Sequence, residues 1–282
     1  MALSEGQVQL RNLVMGPDTQ YRFPRGQHFN PLVRSVRADQ SDKRPWRDGS
    51  WSGIELADEA IIPMRVVTLG QSAAEFMALH QAMAAAFAPS SVDLDLTFMI
   101  GGVEYLMRGR PRLLQPDSRS QAGHGYYNAA FVGLDPLIYS STLHTAGLVL
   151  PSFTGGLTVA VIAPISVTAT VVSGVGAITN AGTAYSPLTI RIDGPCQEPR
   201  IAVTDPFSVT NVLRLALTLD AGQWLDIDTL AHTVYLNGEV SRRGSAYGDW
   251  PLLAPGTSDI AFDAAAYNAS ASATVYWRDA WR

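Results

Sequence analysis

The sequence has little of what would mark a secreted, membrane-spanning or nucleic-acid-coating protein. Its 282 residues include a single cysteine, Cys196, so an internal disulfide framework is excluded. The longest apolar runs, such as Leu157 to Val167, hold only about ten residues and are too short to cross a bilayer as helices. The first residues carry neither the basic nor the apolar segment of a signal peptide. We therefore expect a protein made in a cytoplasm, with no membrane association.

Charge is also scarce. Charged residues make up 16% of the chain, below the ~25% of typical soluble domains. The net charge is −5, which disfavours a role in coating DNA, because phosphate binding needs a basic surface. A single lysine, Lys43, stands against 19 arginines, and arginine is tolerated better than lysine in protein interfaces. A lightly charged chain is either mostly core or uses its surface for contacts with other chains.

Residues 1–142 are predicted to form an N-terminal β domain with one packed helix. The helix is expected over residues 73–87. Ser72 and Glu75 have the spacing of a capping box at its start, and Pro89 ends it. Apolar residues at four- and three-residue steps predict that one face of this helix lies on a sheet.

Alternating segments predict the strands around this helix. One strand is expected from Val8 to Val14, another from Ile61 to Leu69, and a third from Val92 to Phe98. Gly101-Gly102 predicts a turn, after which the chain returns as a strand from Val103.

Residues 143–282 are predicted to hold a linker followed by an antiparallel β-sandwich. Residues 140–156 have a linker composition, and Ser173 to Thr179 contains glycines typical of a hairpin loop. Asn237-Gly238 predicts a type I′ hairpin turn. Short segments rich in Val and Thr, separated by turn signals, favour a sandwich. The predicted strands are Thr158–Ile162, Ser166–Val172, Pro187–Asp193, Arg200–Val203, Val212–Leu219, Trp224–Asp228, Thr233–Leu236, Glu239–Arg242, Ser258–Phe262 and Ser272–Trp277.

Two aspartates raise the question of catalysis. Asp226 and Asp228 lie on one face of a predicted strand, about 7 Å apart at strand rise, and glycosidase carboxylates have similar separations. His232 follows closely and could touch one of them. However, alternation by itself leaves such pairs on a solvated face, and Asp93 and Asp95 repeat the pattern in the first domain. We expect a protein that is not an enzyme, with hydrolysis by the aspartate pair as the less favoured alternative.

The sequence offers no cofactor or metal motif. Its five histidines form no short-spaced metal pair, and there is no cysteine cluster. There is no Gly-x-Ser-x-Gly nucleophile elbow and no P-loop. Cys196 lies between two prolines and is expected to be a structural thiol. We therefore predict no catalytic residue, no bound cofactor and no metal.

Two sets of aromatic residues are candidates for binding. Residues 38–52 are polar and turn-rich, and Arg44, Trp46 and Trp51 there are candidate interface residues, because Trp and Arg are enriched at interface hot spots. A plain solvated loop is the open alternative. In the C-terminal domain Trp224, Tyr235, Tyr247 and Trp250 could form one sugar-stacking face, and the candidate sugar contacts are Trp224, Tyr247 and Trp250. An edge or core aromatic cluster is the alternative for that set.

The C-terminal pattern resembles a known family. It is formed by three segments: Leu217 to Thr229, which contains Gln-Trp-Leu-Asp-Ile-Asp-Thr, then Thr233 to Gly238, then Asp249 to Phe262, which contains Trp-Pro-Leu-Leu-Ala-Pro-Gly. Together these segments are similar to the end of siphovirus-type distal tail proteins. Asn180 to Pro195 resembles an upstream segment of the same family. The resemblance covers most of the chain, and its most specific part contains no catalytic residues.

This resemblance implies a structural protein of the virion, placed in the tail after assembly in the bacterial host cytoplasm. It implies a homo-hexameric hub at the distal end of a long non-contractile phage tail, between the tail tube ring and the tail-tip hub or receptor-binding proteins. The N-terminal domains would build the ring, and galectin-like C-terminal sandwiches would project from it. Genomic DNA would pass through the lumen without specific binding. The alternative function is a carbohydrate-binding adhesion module of the tail tip.

Overall fold

The computed structural model describes residues 3–24, 29–32, 36–37, 42–51, 53–54, 56–117, 124–154, 170–172 and 174–282. Contacts within the chain divide it into two units, Met1–Ser141 with Arg282 (unit 1) and Thr142–Trp281 (unit 2). The predicted strand Thr158–Ile162, most of Ser166–Val172 and parts of the segment 38–52 lie outside the described residues.

The described part of unit 1 contains short and long strands and one helix. In chain order its elements are β1 (Val8–Leu10), β2 (Leu13–Met15), β3 (Tyr21–Arg22), β4 (Val36–Arg37), β5 (Leu56–Ala57), β6 (Ala60–Leu69), α1 (Ala73–Ala86), β7 (Leu94–Ile100), β8 (Val103–Pro116), β9 (His124–Gly133) and β10 (Ile138–Ser140). Seven of the strands follow one another in the main sheet in the order β2-β1-β7-β8-β9-β6-β3, all antiparallel, and β10 also pairs with β8.

The β7–β8 hairpin forms as the sequence predicts. Leu96 and Phe98 are fully buried, as their alternation requires. Gly101 and Gly102 have positive φ values of 64° and 75°, which suits the tight turn between the strands. The Glu5 carboxylate accepts hydrogen bonds from both glycine N–H groups, at 2.8 and 2.9 Å. The turn is therefore held from outside the hairpin as well as by its own backbone.

The prediction of one strand from Val8 to Val14 is wrong. The chain reverses at Arg11, whose φ of 53° is in the left-handed region, and β1 pairs with β2. The Arg11 guanidinium donates to the carbonyl oxygens of Ala85 and Ala88 at the C-terminal end of α1. This contact stabilises the reversal and also satisfies carbonyl groups that the end of a helix leaves without intrahelical partners.

Helix α1 begins and ends close to its predicted bounds. The Ser72 hydroxyl accepts a hydrogen bond from the Glu75 N–H at 3.2 Å, while the Glu75 carboxylate accepts one from the Gln71 N–H at 2.7 Å. Phe87 is the C-cap, so the helix ends one residue before the predicted bound. Capping is a local interaction, which explains why the sequence alone predicts this element well.

The core of unit 1 lies between the helix and the sheet. Met83 and Phe87 are buried against strand residues such as Phe98 and Phe131. The half-buried His80 ring stacks on Tyr127, and its Nδ1 lies 3.1 Å from the tyrosine hydroxyl. His80 therefore packs against the sheet rather than serving a site.

The described part of unit 2 contains eighteen strands and one 3₁₀ turn. They are β11 (His144–Val149), β12 (Ser152–Thr154), β13 (Thr170–Val172), β14 (Val175–Asn180), β15 (Ser186–Pro187), β16 (Thr189–Asp193), β17 (Cys196–Gln197), β18 (Arg200–Thr204), β19 (Thr210–Leu215), β20 (Thr218–Leu219), β21 (Trp224–Asp228), β22 (Thr233–Leu236), β23 (Val240–Ser241), the 3₁₀ turn Arg243–Ser245, β24 (Ala246–Gly248), β25 (Leu252–Leu253), β26 (Gly256–Asp263), β27 (Ser272–Trp277) and β28 (Ala280–Trp281).

Two larger antiparallel sheets form most of the described part of unit 2, and β12-β13, β15-β25 and β17-β20 are two-stranded sheets. One of the larger sheets has the order β11-β27-β16-β21-β22-β23 and is called the six-stranded sheet, and the other has the order β14-β26-β18-β19-β24 and is called the five-stranded sheet. Their inward side chains share one core, in which Ile190 and Ile227 of the first sheet join Ile201 and Ile260 of the second. The mainly β fold with one packed helix and a C-terminal sandwich is confirmed, while its galectin-like character stays a prediction.

Two predictions about the start of unit 2 are wrong. Part of the stretch 140–156, predicted as a linker, forms β11, which pairs with β27 over six residues. The segment from Ser173 to Thr179, predicted as a hairpin loop, contains most of β14, which pairs with β26. In both cases pairing with a distant strand outweighs the local turn composition.

The Asn237-Gly238 turn is confirmed. Both residues have positive φ values, 52° and 74°, as a type I′ turn requires, and they join β22 to β23. The Asn237 side-chain oxygen also accepts a hydrogen bond from the Trp224 N–H at 3.0 Å. The turn therefore ties the hairpin to the neighbouring strand β21.

Candidate functional site

The two aspartates considered for catalysis each have a structural contact. Asp226 accepts a hydrogen bond from the indole Nε1–H of Trp224 at 3.1 Å. One oxygen of Asp228 accepts from the backbone N–H groups of Leu230 and Ala231, at 2.8 and 2.9 Å. These contacts hold a tryptophan ring and close the turn after β21.

His232 contacts an aromatic ring instead of a carboxylate. Its imidazole stacks on Trp250 with ring centroids 4.7 Å apart and an interplanar angle of 16°. The Arg243 guanidinium lies 4.7 Å from the centroid of the same indole. Trp250 is thus engaged by two side chains of its own unit, and this cluster matches the alternative interpretation of an aromatic group at the edge of the core.

The three candidate sugar contacts do not share one sheet. Trp224 lies on β21 of the six-stranded sheet, and the Arg191 guanidinium lies 4.6 Å from its ring centroid. Tyr247 lies on β24 of the five-stranded sheet and is 49% exposed. Trp250 follows in the loop before β25. The structure therefore does not form the single stacking face that the sequence suggested, while sugar binding itself stays a prediction.

Tyr247 lies at one end of a row of side chains across the five-stranded sheet. In register, Asp263 is opposite Arg200, Arg200 is opposite Arg214, and Arg214 is opposite Tyr247. A cleft of about 340 Å³, here named the Tyr247 cleft, is lined by Glu198, Arg200, Arg214, Tyr247, Ala264 and Ala265. Sequence reasoning missed Glu198 and both arginines, because the register that brings them to Tyr247 is set by strands far apart in the sequence.

The candidate interface residues lie on a short hairpin. Residues 42–51, here named the Trp46 hairpin, are closed by hydrogen bonds from Trp51 N–H to the Asp42 carbonyl (2.7 Å) and from Arg44 N–H to the Gly49 carbonyl (3.1 Å). Trp46 is fully exposed and has a left-handed φ of 62°. Trp51 is 60% exposed, and the Arg44 guanidinium lies 4.8 Å from its ring centroid.

Within the described residues, part of one long strand of unit 1 has an open edge. Strand β6 pairs with β9 along all ten of its residues. On its other side β3 pairs only with Val67 and Thr68, so residues 60–64 pair with no second strand within the described ranges. Pro63 lies in this segment, and proline is tolerated where a strand faces no hydrogen-bonding neighbour. The exposed backbone groups of such an edge are a template for pairing with another chain.

The single cysteine is buried. Its side chain belongs to the core of unit 2, and burial raises the pKa of the Cys196 thiol to about 11. A thiol with this pKa is protonated and poorly nucleophilic at neutral pH. The residues that the structure describes contain no group of three or more His, Cys, Asp or Glu side chains that could hold a metal ion. Nor do they contain a helix with the length and apolar character needed to cross a bilayer.

The comparisons with known proteins agree with the architecture. Residues 181–281 match the family model described as "Siphovirus-type tail component, C-terminal domain". The fold is similar to that of the SPP1 Dit (gp 19.1) protein, described as a paradigm of the hub adsorption apparatus in phages that infect Gram-positive bacteria. That match has 15% identity and a TM-score of 0.56, and it covers 87% of this chain and 88% of the other.

A chain of the phage P2 baseplate in its activated conformation with Ca matches with 11% identity and a TM-score of 0.49, covering 96% of this chain and 97% of the other. No curated protein has a sequence that matches this chain. Residues 181–281 thus match a siphovirus-type tail component C-terminal domain, and the resemblance of the chain to siphovirus-type distal tail proteins is confirmed.

Proposed function

We propose that this chain is a structural hub at the distal end of a long non-contractile phage tail. It assembles as a homo-hexamer in the virion tail and joins the tail tube to tail-tip or receptor-binding proteins. It carries no enzymatic activity and needs no cofactor. The observation that carries this proposal is the family match over residues 181–281, supported by the fold shared with the SPP1 Dit protein.

The open edge of β6 supports assembly into a ring. Within the described residues, the backbone of residues 60–64 faces no second strand, and the Ile61 side chain in this segment is 53% exposed. A contact between this edge and a different surface of the next copy is heterologous, so repeated copies close into a ring when the rotation allows it. Strand pairing between protomers would bury the edge, and an exposed edge strand otherwise favours aggregation.

The charge balance supports a passage for DNA without specific binding. A net charge of −5 gives no overall attraction for a polyanion moving through a lumen. The low charged content is also what a protomer needs if much of its surface is to contact neighbouring proteins. Assembly in the host cytoplasm fits a chain with one buried cysteine and no disulfide.

The Trp46 hairpin is our proposed contact with a neighbouring protein in the assembled tail. A fully exposed tryptophan held in a left-handed backbone conformation is costly in an isolated protomer. Tryptophan and arginine are also the residue types that dominate binding energy at interfaces. Burial of Trp46, with Arg44 and Trp51 beside it, would offset that cost on assembly.

The hub proposal is tested on the purified full-length chain and on intact tails. Light scattering after gel filtration should give six times the 30.3 kDa protomer mass, and negative-stain images should show a six-fold ring. Ile61→Asp, at the β6 edge, should shift the protein to smaller species. Val92→Asp is the matched control, because Val92 is 63% exposed in the same unit and lies outside β6. A monomer at every concentration, with no ring at the tail tip, contradicts the proposal.

The Trp46 hairpin is tested in assembled tails. A photo-crosslinking amino acid in place of Trp46 should give a covalent adduct to a tail protein, which mass spectrometry identifies. The same amino acid in place of the exposed Tyr267 of unit 2 controls for random capture. A Trp46 substitution that yields no adduct and leaves tail assembly unchanged would contradict the proposed contact and favour the alternative of a plain solvated loop.

A further inference from the structure

The Tyr247 cleft combines an aromatic ring with charged groups of both signs. Arg200, Arg214 and Tyr247 occupy one register row on three adjacent strands, so their side chains leave the same face of the five-stranded sheet. Directly opposed residues on neighbouring strands have Cβ atoms about 5 Å apart. Glu198, from the segment before β18, lines the same cleft.

Two of the charged side chains that line the cleft have no partner within the described residues. Arg200 is paired with Asp263. In the part of the chain that the structure describes, the Glu198 carboxylate and the Arg214 guanidinium have no hydrogen-bond or ion-pair partner, although both line one cleft. Tyr247 likewise has no ring or hydroxyl partner among the described residues, whereas Trp224 and Trp250 are engaged by cations of their own unit. The cleft therefore offers an acceptor, a donor and an aromatic face.

Backbone constraints position these groups without a ligand. Gly248 follows Tyr247 with a φ of 92°, and a Cβ there would lie 2.3 Å from the Val212 carbonyl oxygen, so only glycine lets β24 approach β19 this closely. Glu198 has a left-handed φ of 47°, and its N–H donates to the Leu217 carbonyl at 2.8 Å. Strain of this kind outside glycine occurs where the surrounding structure imposes it, and it is enriched at binding sites.

We propose that the Tyr247 cleft is a binding site for an uncharged saccharide. The ring of Tyr247 provides a surface on which the C–H face of a sugar ring stacks, while Glu198 accepts hydrogen bonds from hydroxyl groups and Arg214 donates to hydroxyl or ring oxygens. The cleft and the row beside it carry no net charge, because the two arginines, Arg200 and Arg214, are balanced by the carboxylates of Asp263 and Glu198. A polyhydroxylated, uncharged ligand uses such a balanced site better than an anion does. This site goes beyond the hub function and does not depend on ring formation.

The test uses the full-length protein and simple sugars as probes. Saturation-transfer NMR with glucose, galactose, rhamnose and N-acetylglucosamine should show transfer to at least one of them, with an affinity in the millimolar range typical of a small ligand in an open cleft. Arg214→Met and Tyr247→Ala should each weaken binding of that sugar about tenfold or more. Glu198→Gln, which is nearly isosteric, should weaken it as well while leaving the fold intact.

Matched variants control for general effects of these substitutions. Arg242→Met removes another exposed arginine of unit 2, and Tyr185→Ala removes a tyrosine that is 52% exposed in the same unit, so both should bind as the wild type does. The affinity for the sugar should change little with salt concentration, because the site carries no net charge. Absence of transfer to every sugar overturns the proposal, as does binding that survives Arg214→Met and Tyr247→Ala. Binding that is lost in Trp224→Ala but kept in both cleft variants overturns the proposal too, because it places the sugar on the other sheet. Glucuronic acid is the charged probe in the same experiment, and binding confined to it overturns the uncharged assignment.

Ring formation is measured separately for each variant. Because the cleft residues belong to unit 2 and the β6 edge to unit 1, the two proposals fail independently. A hexamer that binds no sugar refutes only the proposal of sugar binding in the Tyr247 cleft. A monomer that binds sugar through Arg214 and Tyr247 refutes only the proposal of a hexameric ring.

Discussion

Thr229 and Leu188 exchange two hydrogen bonds in the interior of unit 2. The Thr229 N–H donates to the Leu188 carbonyl at 3.0 Å, and the Thr229 hydroxyl accepts from the Leu188 N–H at 2.8 Å. Thr229 is only 1% exposed, so water cannot replace either bond. The hydroxyl thereby satisfies a buried backbone group at the point where β16 begins.

Replacing this hydroxyl should destabilise the protein measurably. Thr229→Val keeps the shape of the side chain but leaves the Leu188 N–H without a partner, which costs about 1–3 kcal/mol. Urea unfolding followed by circular dichroism should show a lower midpoint with an unchanged slope. Thr189→Val, at an exposed position of β16, is the control and should change the free energy of unfolding by less than about 0.5 kcal/mol. Equal midpoints for the two variants would contradict the role of the Thr229 hydroxyl.

Gly109 should not tolerate even a methyl group. A Cβ at this position would lie 2.0 Å from the Val132 carbonyl oxygen, where β8 and β9 pair. Gly109→Ala therefore has to separate these strands, with an expected loss of about 3 kcal/mol or more in the free energy of unfolding. Gly147→Ala is the control, because a Cβ on Gly147 meets no atom within 4 Å. Similar thermal unfolding curves for both variants would contradict this prediction, because they would show that β8 and β9 can separate at Gly109 at little cost.

The carboxylate of Glu5 should contribute stability in a pH-dependent way. Hydrogen bonds from the Gly102 and Gly101 N–H groups lower the pKa of Glu5 below its usual 4.5. A carboxyl group with a lowered folded pKa contributes stability that is fully present above the unfolded pKa and is lost as pH falls through the folded pKa. The difference in unfolding temperature between wild type and Glu5→Gln should thus be constant above about pH 4.5 and should shrink in more acidic solution.

The matching control is Glu239→Gln, because the Glu239 carboxylate accepts no hydrogen bond within the described part of unit 2. Glu239→Gln therefore measures the effect of replacing an exposed glutamate whose carboxylate receives no hydrogen bond there. A Glu5→Gln difference that grows on acidification would reverse the expected sign and refute the contribution assigned to the carboxylate.

Cys196 should resist modification until the protein unfolds. Burial raises the pKa of its thiol to about 11, so at pH 8 both the thiolate fraction and the access of a reagent are low. Native protein treated with iodoacetamide should stay unlabelled by mass spectrometry, while protein in strong urea should take up one label. A Cys196→Ser, Tyr185→Cys variant, with its thiol at an exposed position, controls for reagent activity. Rapid labelling of the native wild type would show that the core around Cys196 opens readily.

Elements stabilised by near neighbours were predictable from the sequence. Ser72 and Glu75 lie three residues apart, and their hydrogen bond defines the start of α1. Asn237 and Gly238 adopt the positive φ values that their residue types favour. In each case the stabilising contact lies within a few positions along the chain, so its signal is present in a short window of sequence.

Elements stabilised by distant contacts were mispredicted. Arg11 reverses the chain in the middle of a predicted strand, and it is held there by carbonyl groups at the C-terminal end of α1 that lie 74 and 77 positions away. Gly176 suggested a loop, but it lies in β14, which pairs over six residues with β26. The local composition in both places was ambiguous, and the tertiary partner decided the conformation.

The candidate site shows the same division. The exposed Trp46 hairpin was recognisable from its polar, turn-rich sequence with two tryptophans, and the sequence by itself determined the mainly β class, the capped helix and the family signature of residues 217–262. Only the tertiary structure decided that Trp224 and Tyr247 lie on different sheets and that Arg200 and Arg214 share a row with Tyr247. It also decided that residues 60–64 pair with no second strand among the described residues. The physical reason is that alternation specifies which face a side chain takes, whereas register and strand order depend on hydrogen bonds between segments that no short stretch of sequence contains.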